Sequence, residues 1–394
     1  MHLNRDNVSA LVTGIAVVAL IAGFAVYFNS PALNRASSGE NGANFVSNVS
    51  VDSGSGKITK TQYSIDKSQF RKAPEFMSVS GYVNTSPITM EDLKGKVVLV
   101  DFWTYSCINC IRTLPYLVDW NAKYADKGLV IAGVHTPEFE FEKNIENVKA
   151  AVQKFGIKYP VFQDNDKGTW NAYENRYWPR KYIIDGEGYI RYDHIGEGGY
   201  AETEKVIQTL LAERAVLQGA QTLDINSSGL STPTNIQSVD FSKVNSPELY
   251  FGYQFARDEL GSPEGFKPDQ VVNYSIPSSD LKANVIYLQG EWKNNPDHLE
   301  LVGDSGKIAL AYSAKSVNIV AGGSGQAKVS EDGIESVSAN STNSTRGSDL
   351  DGEGGLSIDG QRLYNIARHP DYGNHHIVLD VKGKGFQAYT FTFG

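Results

Sequence analysis

Val97-Val-Leu-Val-Asp-Phe-Trp103, Thr104-Tyr-Ser106, Cys107-Ile-Asn-Cys110 and Ile111-Arg-Thr-Leu-Pro115-Tyr-Leu117 form the continuous stretch that decides how the chain is read. Its first part is an apolar, β-branched run, the pattern of a central strand buried on both faces. The residues after the cysteines have helical spacing, with Leu114, Leu117, Val118 and Trp120 toward one side. Cys107 therefore falls at a strand-to-helix junction, its sulfur over the helix N-terminus, where free N–H groups and the helix dipole stabilise a thiolate. Cys110, one turn later, can attack a mixed disulfide formed at Cys107. These are the only two cysteines in 394 residues, so no structural disulfide competes for them. A C-x-x-C can also be half of a zinc site, but zinc normally takes four ligands, and neither a second C-x-x-C nor a paired His cluster is present.

Asp101 lies six residues before Cys107, Trp103 four before it and Pro115 eight after it. These are the spacings of the thioredoxin active-site segment. The longer string Phe102-Trp-Thr-Tyr-Ser-Cys-Ile-Asn-Cys-Ile-Arg-Thr-Leu-Pro115 resembles the extracytoplasmic part of DipZ-type proteins, within the TlpA-like branch. The resemblance implies a thiol–disulfide oxidoreductase of the protein-disulfide reductase type, with no cofactor beyond the redox-active Cys107–Cys110 disulfide. In that scheme Cys107 attacks, Cys110 resolves, Asp101 manages the proton and Trp103 belongs to the site. Trp178-Pro179, just before Lys181-Tyr-Ile-Ile-Asp185, matches the family's cis-proline position. A cis X–Pro bond there exposes backbone polar groups beside the sulfurs, ready to take an extended substrate as an added strand.

Asp101 also stands out without the resemblance. It is a carboxylate inside an apolar strand, and burial raises its pKa toward that of a proton acceptor for Cys110. Glu138, in Val134-His-Thr-Pro-Glu138, follows the next core strand at the edge that carries the cysteines. TlpA-like reductases often carry a glutamate near there, which makes it a second acid/base candidate; a plain helix-leading acid is the alternative. His135 reads as a satisfied strand-end histidine. Ile108-Asn109 departs from thioredoxin's Gly-Pro, supplying neither a proline's rigidity nor a positive charge, and leaves the direction of exchange open.

Around this segment the chain divides into five parts. Residues 1–29 contain Val8–Phe28, 21 residues without a charge, enough as a helix to cross about 30 Å of bilayer core. With Arg5 ahead of it, the segment reads as a transmembrane anchor that exports the rest, a cleaved signal peptide being the competing reading. Residues 30–71, rich in Ser, Asn and Gly, read as a flexible tether. Residues 72–218 form the redox domain. Strands at Val97–Trp103, Leu129–His135, Lys181–Ile184 and Tyr189–Ile195 alternate with helices at Cys107–Ala125, Glu142–Phe155 and Glu202–Leu217. That order predicts a mainly parallel sheet covered on both faces, with a late hairpin at Asp185-Gly-Glu-Gly188: an α/β thioredoxin-like fold. Residues 219–245 read as a second linker. Residues 246–394 show short alternating segments, among them Asn284–Trp292, Ile308–Tyr312, Ser316–Val320, His376–Asp380 and Phe386–Phe393. They predict an antiparallel, all-β sandwich with its own core.

This last part also resembles the C-terminal region of DipZ-type proteins, which implies a jelly roll similar to a carbohydrate-binding module. Tyr250, Tyr253, Trp292 and Tyr312 are candidates for stacking on a cell-surface glycan, against the commoner role of aromatics in a sandwich core. Asp349-Leu-Asp351-Gly-Glu353 has the oxygen density of a calcium loop without EF-hand spacing and reads as a solvated acidic turn. A net charge of −9, from 36 basic and 45 acidic residues, gives no electrostatic footprint for nucleic acid. The expected partners are extracytoplasmic protein disulfides. DipZ-type proteins usually carry a CcdA-like electron-transfer domain on the same chain, whereas one span is read here, so a CcdA-like membrane donor is expected in trans. The expected location is the cell membrane, with both domains in the periplasm or at the cell surface. Two alternatives stay open. Thr104-x-x-Cys107 echoes the threonine–cysteine pair of peroxiredoxins, a thiol peroxidase reading, although Val100 stands where their proline is expected. The other is a surface glycan-binding protein with a thioredoxin-like scaffold.

Overall fold

The structure, a computed structural model, describes residues 66–219, 229–234, 236–332, 334–335 and 346–394. The expected anchor Val8–Phe28, the tether up to residue 65, and residues 220–228 and 235 of the second linker lie outside them. Among the described residues no helix is long and apolar enough to cross a membrane. The described residues fall into two compact units. The smaller joins residues 66–70 to 212–219 and Gly229, with Lys67 Nζ and Glu213 Oε1 paired at 3.0 Å. The larger holds Arg71–Leu211 together with Leu230–Gly394.

Val97–Trp103 (β2) is the central strand of a six-stranded sheet and is buried along its whole length. Its side chains alternate between two apolar clusters: Val97, Leu99 and Trp103 enter one, Val98, Val100 and Phe102 the other. The remaining strands are β1 (Gly81–Val83), β3 (Leu129–His135), β4 (Val161–Gln163), β5 (Arg180–Ile184) and β6 (Ile190–Ile195), in the order β1-β4-β3-β2-β5-β6. The helices are α1 (Ile108–Tyr124), α2 (Ile145–Lys154), α3 (Gly168–Ala172) and α4 (Tyr200–Leu217).

The sheet is mixed rather than mainly parallel. Only β2, β3 and β4 run parallel; β1, β5 and β6 are antiparallel to their neighbours. The reason lies in the connections. The chain between β4 and β5 carries only the five-residue α3, not the full crossover helix typical of a parallel return, and β5 to β6 is a tight turn. There Asp185 Oδ1 accepts the N–H groups of Glu187 and Tyr189, both at 3.0 Å. The expected helix Glu142–Phe155 is a 3₁₀ turn at Glu140–Lys143 followed by α2. Asn144 caps α2, its Oδ1 accepting the Glu146 N–H at 3.0 Å.

The described residues of 246–394 form strands and loops without a helix; every ladder between their strands is antiparallel, and an isolated bridge, Ala283–Ala311, is parallel. The path β13-β12-β15-β11-β16-β10-β9-β8 links Ile334–Glu335 (β13), Gln326–Glu331 (β12), Arg362–Lys382 (β15), Ser305–Gly323 (β11), Phe386–Phe393 (β16), Leu299–Leu301 (β10), Ile286–Asn294 (β9) and Val271–Tyr274 (β8). Leu249–Tyr250 (β7) adds to β16 and Gly355–Ser357 (β14) to β12. The strands of the expected sandwich are hydrogen-bonded into one continuous network, in which β11 also pairs with β9. Ile308–Tyr312 and Ser316–Val320, expected as separate strands, belong to the single 19-residue β11, because a bulge between Ala314 and Ser316 shifts register where a break was expected.

Within the larger unit the β domain packs onto the redox domain. Val320 and Tyr389 share an apolar cluster with Trp103, Leu117 and Ile131. Phe139 and Phe141, in the segment after β3, meet the Tyr389 ring at centroid distances of 5.2 and 4.7 Å, contacts worth about 0.5–1.5 kcal/mol each beyond their buried area.

Candidate active site

Cys107 caps α1. Its backbone is extended (φ −77°, ψ 116°), and its Sγ accepts the Cys110 N–H at 3.4 Å. The first turn of the helix carries no acidic residue that would oppose a thiolate. Cys107 is half-buried and Cys110 almost wholly buried, both as free thiols.

Beneath them lie two buried strand neighbours of opposite charge. Asp101 on β2 stands directly opposite Lys181 on β5. Alternation along the two strands puts both on the face of Leu99, Trp103 and Ile183, the face that also receives Cys110. Asp101 is 1 % exposed and Lys181 0 %. Burial pushes the Asp101 carboxyl up to about 7, against the pull of the Lys181 ammonium. Burial likewise lowers Lys181, opposed by Asp101. The Cys110 thiol is pushed well up by burial, then by Cys107 beside it, with the Asp101 charge adding to the effect. Lys181 Nζ donates to the Gly196 carbonyl at 3.1 Å, and Asp101 Oδ1 has no hydrogen-bond partner. A carboxylate with a free oxygen and a pKa near neutrality, on the same face as a reluctant thiol, is equipped to take that thiol's proton.

A second buried carboxylate secures the loop into Cys107. Glu142 accepts the hydroxyls of Thr104 and Ser106, both at 2.5 Å, and the N–H groups of Glu138 at 2.6 Å and Phe139 at 3.0 Å. Burial still raises its pKa. Lys181 and Glu142 are not among the residues expected at the site from the sequence. Lys181 carries the same signal as Asp101, a charge beside an apolar run, whereas Glu142 looks like any helix-leading acid.

Among the other expected site residues, Pro179 follows a cis Trp178–Pro179 bond and sits one step beyond the Arg180–Phe102 pair, level with Trp103. Trp103 is wholly buried; it packs edge-on against His135 at 5.2 Å and shares an apolar cluster with both cysteines. His135 is buried, and burial pushes its pKa down to about 3, so the ring is neutral. Glu138 is bound to the β domain. Its Oε1 accepts the Tyr250 hydroxyl from the β domain at 2.6 Å, and the same hydroxyl lies 2.9 Å from Glu248 Oε2. Burial, then the Glu248 and Glu142 charges, push Glu138 up to about 8.

Of the aromatics offered as sugar platforms, Trp292 and Tyr312 are core residues and Tyr250 is engaged with the two glutamates, which leaves half-buried Tyr253. In the acidic turn, Asp349 pairs with Arg362 at 2.8 Å, and Asp351 Oδ1 accepts the N–H groups of Glu353 and Gly355 at 2.9 and 2.7 Å. Among the described residues neither cysteine belongs to a cluster of potential metal ligands.

Two family models match the chain: that described as "AhpC/TSA family" over residues 71–193, and that described as "Thioredoxin like C-terminal domain" over residues 246–394. Protein DipZ of Mycobacterium bovis is 35 % identical over 327 residues, which cover 82 % of this chain and 43 % of that protein. The chain therefore spans less than half the length of this relative. Thiol-disulfide oxidoreductase YkuV of Bacillus subtilis is 33 % identical over 36 % of this chain and 94 % of its own. Thiol-disulfide oxidoreductase ResA of Bacillus thuringiensis is 30 % identical over 32 % of this chain and 69 % of its own.

Proposed function

The chain belongs to the DipZ- and TlpA-like thioredoxin family, and on that premise we propose that it is a thiol–disulfide oxidoreductase that reduces protein disulfides. It is held at the membrane by Val8–Phe28, works on the extracytoplasmic side, and is recharged by a CcdA-like membrane donor in trans. The observation that carries the reading is the placement of buried Cys110 on the same face as the Asp101–Lys181 pair, one helical turn from half-buried Cys107.

The sulfur of Cys107 attacks one sulfur of the substrate disulfide. The other leaves as a thiolate that takes a proton from solvent. Asp101 then accepts the proton of Cys110, and the Cys110 sulfur attacks Cys107. The mixed disulfide breaks, the second substrate thiol departs, and the Cys107–Cys110 disulfide holds the two-electron oxidation. Lys181 keeps the carboxylate ionised in an apolar box where it would otherwise hold its proton.

The peroxidase reading asks Thr104 to serve Cys107, whereas its hydroxyl is bound to Glu142. The scaffold reading leaves the buried pair without a purpose. Thiol trapping tests the proposal: Cys110→Ser is expected to accumulate a mixed disulfide with insulin through Cys107, and Cys107→Ser to accumulate none. A Cys110→Ser protein that forms no adduct would sink the reading.

A further inference from the structure

A cleft of about 480 Å³ opens between α1, α2 and the start of β15, with walls from both domains. Its volume falls in the range of ligand sites, and such sites favour domain boundaries. Resting on the oxidoreductase reading, we infer that this cleft docks an extended segment of the substrate polypeptide, next to the half-cystine that Cys107 attacks. The segment places an apolar side chain on the cleft floor and a carboxylate at Lys154.

The cleft is continuous with the neighbourhood of the reacting sulfur. Ile111 lines the cleft and comes four residues after Cys107, so it lies on the same helix face about 6 Å along the axis. Tyr105, on the other wall, precedes Cys107 by two residues. An extended chain covers about 3.3 Å per residue, so the second or third residue from the substrate cysteine reaches the cleft.

Two polar groups of the lining residues lack their ordinary partners. The Tyr105 hydroxyl is in a side chain only 5 % exposed and has no hydrogen-bond partner. The Ile111 carbonyl would ordinarily receive the N–H of the residue four further on, but that residue is Pro115, which has none. A helix carbonyl without its usual donor and a phenol without a hydrogen-bond partner suit the N–H and C=O groups of a peptide backbone.

The cleft also carries an uncompensated positive charge. Arg362 in the opposite wall is neutralised by Asp349 and Asp359 at 2.8 and 2.9 Å. Exposed Lys154 has no carboxylate partner among the described residues. Between them Ile111, Ala151 and Leu363 supply the apolar floor. The β domain would thus contribute to substrate choice, through Leu363, without touching either sulfur.

The test follows a single turnover of the pre-reduced full chain, whose Cys107 and Cys110 thiols supply the two electrons, across a range of concentrations of three probes, the half-saturating concentration giving KM. One is the small disulfide dithiobis(nitrobenzoate). The other two are cysteine peptides capped as the nitrothiobenzoate mixed disulfide, one with Leu and Glu flanking the cysteine, the other with Gly and Lys. The Leu/Glu peptide is expected to show a KM about tenfold lower than the Gly/Lys peptide, the size of one fitted apolar contact. Ala150→Trp, at an exposed position lining the cleft, and Lys154→Glu are each expected to collapse that ratio toward one. Turnover of the small disulfide in the same variants reports whether they are folded. Equal KM values for the two peptides in the unaltered protein, or a ratio that survives both substitutions, would overturn the docking inference alone. No turnover of the small disulfide by the unaltered protein would overturn the oxidoreductase reading, and the docking site with it.

Discussion

Asp101, buried, and Glu138, half-buried, are carboxyl groups shielded from solvent in two different ways. Asp101 faces a lysine across the central sheet, on the face that receives Cys110. Glu138, at the seam between the domains, faces a phenol and a second carboxylate. Both are pushed up toward neutrality, to about 7 and about 8. Burial explains both shifts, and the partner decides their use. Beside an ammonium, the carboxylate can exist without its proton and can receive one from Cys110. Beside Glu248, the favoured form keeps the proton, and the proton becomes part of what holds the β domain against the redox domain. A perturbed pKa marks both places as unusual, and only the geometry separates proton transfer from docking.

The comparison breaks most sharply at Lys181. Lys181→Met leaves Asp101 buried without a counter-charge, at a cost of about 3 kcal/mol to stability, read by denaturant titration. The pH midpoint for resolution of the mixed disulfide is expected to move upward by about one unit, because removing a nearby cation favours the protonated acid. A midpoint that stays in place would separate Lys181 from the proton path.

At the seam the expected effect is on stability. The native state keeps the Glu138 proton up to about pH 8, while an unfolded glutamate loses it near 4.5. Between those values the folded chain binds more protons than the unfolded one. Stability contributed by the bound proton is therefore complete below pH 4.5 and lost as pH rises toward 8, with a slope of at most about 1.4 kcal/mol per pH unit. Glu138→Gln is expected to flatten that slope, measured by urea unfolding at a series of pH values. The smallest effect belongs to Tyr250→Phe, which deletes one hydroxyl between the two glutamates and costs about 1 kcal/mol.

The two regions also differ in how far the sequence reveals them. The unbroken apolar run of β2, the C-x-x-C, and a lone acid within a strand each have a local signature, so Cys107, Cys110, Asp101 and the main elements of the redox domain are readable from the chain. Strands β1 and β4 are three residues long and show no period. Lys181 becomes meaningful only through its register with Asp101, a pairing between strands some 80 positions apart in the chain. The seam is less visible still. Nothing near Glu138 announces Tyr250, and β11 hides its continuity behind the polar Ser313–Ser316 segment, where the bulge lies.

The proton path is tested most directly by the rate at which the Cys107 mixed disulfide is resolved, tracked from about pH 5 to 9 in the unaltered protein and in Asp101→Asn. The unaltered protein is expected to show a rise centred near pH 7, where Asp101 ionises. In Asp101→Asn that step should vanish and the rate fall about 10²-fold, the usual contribution of a positioned base. Matching profiles in the two proteins would contradict the account and return Asp101 to the role of a buried structural acid.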